Sequence, residues 1–124
     1  MSNLAPTIEN AEYWSGQVTE HEENVLRMRQ ELLTAETAID SLRLGYALDV
    51  EQQAEVSTDK TLSTVEKRKM AVELTFTSST EGKRLTAEVA DLKRLIALET
   101  IQRDAADRAW RIVYAGMRAK EVVS

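Results

Sequence analysis

The sequence predicts an all-α protein, an antiparallel coiled-coil hairpin of long helices with a turn near residue 60 and a kink near residue 78. Three observations predict it. Apolar residues recur at alternating spacings of three and four, which is the coiled-coil period. Pro6 is the only proline and there are four glycines, so little in the chain breaks a helix. Aromatic residues are 5% of the total, and the β-branched runs and turn clusters of a sheet protein are missing. The 124 residues suit one domain, read as arm one over 7–55, a turn over 56–63 and arm two over 64–121.

Arm one begins after Pro6, since a first-turn proline loses no helical hydrogen bond. Its apolar seam is Ala11, Trp14, Val18, His21, Val25, Met28, Leu32, Ala35, Ile39, Leu42 and Tyr46. Leu26, Leu33 and Leu44 sit beside that seam and widen it, which favours more than two helices around the core. At about 1.5 Å per residue the arm would be ~70 Å long. The pattern fades after Val50, and the Ser- and Thr-rich stretch that follows reads as the turn.

Ser63 with Glu66 forms a capping box that opens a new helix, carrying Leu62, Val65, Val72 and Phe76 at helical spacing. The weak helix formers Phe76, Thr77, Ser78, Ser79 and Thr80 interrupt it. A second capping box at Ser78 and Glu81 puts the kink there. The last seam is Leu85, Val89, Leu92, Ile96, Glu99, Arg103, Ala106, Trp110, Val113 and Met117. Paired antiparallel, Ala11 meets Val113, Trp14 meets Trp110, His21 meets Arg103 and Val25 meets Glu99. The implied fold point, near residue 62, falls in the turn read independently.

The net charge of −5 is unevenly spread. Residues 1–60 hold 12 acidic and 4 basic side chains, a balance of −8, and residues 61–124 hold 9 acidic and 12 basic, a balance of +3. Opposite halves favour lying against each other, which orients the arms more than it stabilises them.

The residues exclude much chemistry. There is no cysteine, hence no disulfide, thiolate metal site or cysteine nucleophile; no metal or other cofactor is expected. His21 is the single histidine. Its His-Glu-Glu run resembles part of a zinc motif but lacks the second histidine that a site needs. The simpler reading makes His21, Glu99 and Arg103 a polar core layer that fixes register. No Gly-rich phosphate loop or nucleophile elbow occurs, and carboxylates on thin arms lack the cleft that general acid–base work requires. The expectation is therefore that the chain is not an enzyme. The longest apolar run is short (Leu95, Ile96, Ala97 and Leu98), against about 20 residues for a membrane span, and Met1 to Asn10 has no signal-peptide pattern. No membrane contact is expected.

Two surfaces are candidates for partners. Tyr13 and Trp14 beside Glu20, Glu22 and Glu23 offer aromatic anchors next to steering charge. Lys67, Arg68, Lys83 and Arg84 offer a basic patch for phosphates, but no aromatic residue interleaves with it to stack bases. The plainer reading of the basic residues is that they face the acidic arm or solvent.

From residue 63 onward the chain resembles small coiled-coil proteins encoded by bacteriophages and prophages near recombination genes. The resemblance rests on Thr64-Val65-Glu66-Lys67-Arg68-Lys69, on Ser79-Thr80-Glu81-Gly82-Lys83-Arg84-Leu85, and on the heptad through Ala109-Trp110-Arg111. Gly82 and Lys83 depart from it, where an aromatic residue or Gln is expected. The resemblance implies a phage accessory protein, at work in the cytoplasm of a bacterial host, that binds and inhibits a macromolecule such as a nuclease or defence complex. A structural or assembly component is the alternative, and a nucleic-acid-binding accessory protein a third. Self-association, as a dimer, is expected because a two-helix hairpin buries too little apolar surface alone.

Overall fold

The computed structural model describes residues 4–56 and 62–123. Three helices make up the fold: α1 is Ile8–Val56, α2 is Val65–Ser78 and α3 is Thr80–Val123. No strand occurs among the described residues. The turn expected over 56–63 falls largely on 57–61, outside the described residues. Every position of both seams is buried or half-buried, as a heptad requires when each seam residue packs into the facing helix.

The helix starts differ from expectation by one residue each. Pro6 lies before α1, and Thr7 caps it by accepting from the Asn10 N–H at 3.1 Å. Thr64 caps α2, its hydroxyl accepting from the Lys67 N–H at 3.1 Å, where Ser63 was expected. Ser79, not Ser78, separates α2 from α3. Its extended backbone ends one helix, and its hydroxyl accepts from the Gly82 N–H at 2.9 Å to begin the next. The same hydroxyl donates to the Phe76 carbonyl at 2.9 Å. A Cβ on residue 82 would lie 2.0 Å from that carbonyl oxygen. Only glycine fits so close an approach.

The chain forms two compact units. The first comprises Met1–Gln30 and Lys93–Ser124. Here α1 and α3 run antiparallel: Pro6 lies against Gly116, where a Cβ would sit 2.9 Å from the proline Cβ, and further along α1 His21 meets Glu99. Met28, Ala106, Ala109 and the fully enclosed Val113 form its core. Two of these four are alanines, whose small side chains let helices approach closely.

The second unit is Glu31–Leu92, with a core of Ala35, Val50, Phe76, Leu85 and Leu92. Arg43 of α1 spans the α1–α2 contact. Its guanidinium lies 4.3 Å over the Phe76 ring, and its Nη2 donates to Glu73 Oε1 at 2.8 Å. The ring face attracts the cation while the carboxylate satisfies one edge of it.

Candidate functional site

In the first unit α1 and α3 leave an apolar groove of about 700 Å³ between them. Its α1 side is built from small residues: Ala11, Ser15 and Thr19, which recur about once per turn and so share one face, with Gly16 beside them. A Cβ on Gly16 would meet nothing within 4 Å, so the space above it is open. The α3 side is Trp110, Tyr114 and Met117, at successive four- and three-residue steps that align them on one stripe. The two rings stack with centroids 5.1 Å apart and planes 12° from parallel. That contact holds both aromatic groups in place with little freedom left to lose on binding.

Three exposed carboxylates, Glu12, Glu20 and Glu23, line the same groove. None makes an ion pair among the described residues. Glu20 and Glu23 are neighbours at i,i+3, a like-charge arrangement that costs a helix a few tenths of a kcal/mol. Over three turns of α1, Glu12 to Glu23 spans ~16 Å. The groove thus combines an apolar wall, room above its floor and uncompensated negative charge.

The residues expected as one partner site separate here. Glu20 and Glu23 line the groove. Glu22 does not: it accepts two hydrogen bonds from Arg103, at 3.0 Å from Nε and 2.7 Å from Nη2. This bond, together with one to Asp104, holds the Arg103 proton more firmly than usual. The Tyr13 and Trp14 rings lie against each other, centroids 4.8 Å apart and tilted by 31°, and Trp14 is half-buried at its seam position. The aromatic wall comes from Trp110 and Tyr114 instead. A signal for it did exist: Ser15, Gly16 and Thr19 leave space opposite Trp110 and its i+4 neighbour.

The expected polar layer is two residues deep. His21 Nδ1 lies 2.6 Å from Glu99 Oε2, whereas Arg103, expected opposite His21, reaches out to Glu22. A long side chain can keep its charged head at the surface while its stem covers the seam, which avoids the cost of burying the guanidinium charge.

The expected basic residues all lie in the second unit, much of their charge engaged. Arg68 Nε sits 3.3 Å from Glu51 Oε1 and its Nη1 donates to the Leu62 carbonyl. Arg84 pairs with Glu81 and, at 3.2 Å, with Glu88. Lys67 has an interaction of its own, and Lys83 is exposed.

No metal-binding group of three or more His, Cys, Asp or Glu occurs among the described residues. None of the described helices is long and apolar enough to cross a membrane. Comparison with protein-family models, with curated proteins and with solved structures finds no match.

Proposed function

We propose that the protein is a non-catalytic binding protein that occupies a protein partner's surface through the groove of its first unit. The observation that carries this reading is the set of unpaired carboxylates on an open aromatic groove. Glu20 and Glu23 repel each other and have no counter-ion among the described residues; charge placed so favours encounter with an oppositely charged partner. The stacked Trp110 and Tyr114 supply the kind of rigid aromatic anchor on which binding energy concentrates. The resemblance to phage accessory proteins supports a host nuclease or defence complex as the partner, in the bacterial cytoplasm, with the carboxylates standing in for phosphates.

The reading is tested by affinity capture with the wild-type protein and with E12K/E20K/E23K, helicity being checked by circular dichroism. Loss of a captured protein with the triple variant supports it. Equal capture by both proteins rejects the groove as the binding surface.

A second reading, a structural or assembly component that self-associates, is favoured by the apolar surface of the second unit. Leu33, Leu44, Leu48, Met70 and Leu74 are exposed there, Met70 to 71% and Leu74 to 68%. Side chains this apolar are commonly covered by another copy or a partner when they form a patch. Under this reading the mass by light scattering is a dimer's with no partner present. Binding to nucleic acid draws less support, because Arg68 and Arg84 already face carboxylates.

A further inference from the structure

We infer that the occupant of the first-unit groove is a basic amphipathic helix of the partner, about three turns long, with its cationic side chains at the spacing of the three groove carboxylates. This rests on the binding reading above and specifies its ligand.

The shape of the groove selects a helix. Two antiparallel helices leave a trough along their length, and a third helix laid in it completes a three-helix contact of the kind that heptad packing favours. Ser15, Gly16 and Thr19 keep the α1 wall low. With no atom within 4 Å of a Cβ at Gly16, a backbone as wide as a helix can come close. An apolar residue of the incoming helix would then rest on Trp110, Tyr114 and Met117, removing that surface from water.

The charge of the groove selects a basic one. Glu12, Glu20 and Glu23 are separated by eight and three residues along α1. At 3.6 residues per turn Glu23 returns to within about 20° of Glu12, and Glu20 lies about 80° round from Glu12, so the three carboxylates share an arc of about 80° on α1. Long, flexible lysines or arginines spread over a matching arc of a neighbouring helix can therefore reach all three carboxylates. Arginine adds a planar guanidinium that pairs with carboxylates in a two-pronged way and stacks on aromatic rings. An acidic helix would meet like charge along the whole line.

The test uses the full-length protein and two synthetic helical peptides with the same leucine face. One carries arginines at the carboxylate spacing; the other carries glutamates in their place. Binding is followed by two-dimensional NMR. The basic peptide is expected to move the Trp110 indole signal and the Gly16 and Thr19 amides, leaving Val65 and Val72 of the second unit unmoved. The acidic peptide is expected to move none of them. Gly16→Gln puts a side chain into open space, so the fold is retained, and the basic peptide should bind it at least tenfold more weakly. Tyr114→Ala, an exposed position, should also weaken binding. Equal response to both peptides, or undiminished binding by Gly16→Gln, overturns the inference. A Trp110 signal that moves with the protein's own concentration alone also overturns it, by making a second copy the occupant. If the peptides fail while E12K/E20K/E23K still abolishes capture of a partner, the binding reading stands and only its basic-helix occupant falls.

Discussion

His21 Nδ1 and Glu99 Oε2 meet at 2.6 Å across the first unit, with side chains 17% and 22% exposed. They form a half-buried polar bridge in the middle of two seams that are apolar apart from this pair and Arg103. Such a pair contributes less to stability than to register, because each partner gives up hydration to make it. Removing one member leaves the other without its mate in a partly dry site, at a cost of about 1–3 kcal/mol. Replacing both with leucine restores apolar packing. We therefore expect His21→Ala and Glu99→Ala each to lower stability in chemical denaturation. H21L/E99L should match or exceed the wild type, at the expense of a less uniquely set pairing of the two helices. A double variant less stable than either single one would show that the bridge stabilises the fold outright.

Two glycines should answer the same substitution with opposite signs. In an open helical position Gly→Ala gains roughly 0.5–1 kcal/mol, and Gly16 has that open space. Gly82 does not, because a Cβ would stand 2.0 Å from the Phe76 carbonyl oxygen. Gly82→Ala must open the junction between α2 and α3, costing about 1–3 kcal/mol as overpacking does. Thermal unfolding of the two variants reads both signs. A stabilised Gly82→Ala would contradict the junction described.

Arg84 bonded to Glu81 holds that carboxyl below its ordinary pKa, and Glu81 in turn raises the arginine's. Because the folded-state pKa is depressed, the pair's contribution is present above the unfolded value of about 4.3 and is lost as pH falls through the folded one. Both side chains are exposed, so the effect is small and weakened by salt. Carboxyl NMR titration should place the Glu81 midpoint below the ordinary glutamate value, and Arg84→Gln should move it up. An unchanged midpoint in Arg84→Gln would remove the ion pair as its cause.

The heptads were legible because burial enforces their period: every seam residue, from Ala11 to Tyr46 and from Leu85 to Met117, lies buried or half-buried. The caps were legible to within a residue. Ser63 and Thr64 stand side by side, as do Ser78 and Ser79, and both members of each pair can cap. A glutamate three residues on favoured Ser63 and Ser78. The structure uses Thr64 and Ser79, and at the second site the missing Cβ of Gly82 lets the Phe76 carbonyl approach. Acidic Glu20 and Glu23 were legible as surface charge. Their separation from Glu22 was not, since it depends on where Arg103 extends. The small residues Ser15, Gly16 and Thr19 marked space beside the aromatic wall, but Trp110 at a seam position reads as core until its stacking on Tyr114 is seen.

Site-specific photo-crosslinking tests the central claim most directly. A benzophenone side chain introduced at Gly16, where the space is open, would lie in the groove; one at Met70 would lie on the exposed face of the second unit. In a cell that contains the partner, the position-16 protein should yield a heterologous adduct that E12K/E20K/E23K abolishes, and the position-70 protein should not yield that adduct. Adducts formed only from position 70, or only between copies of this chain, would contradict a partner-binding groove in the first unit.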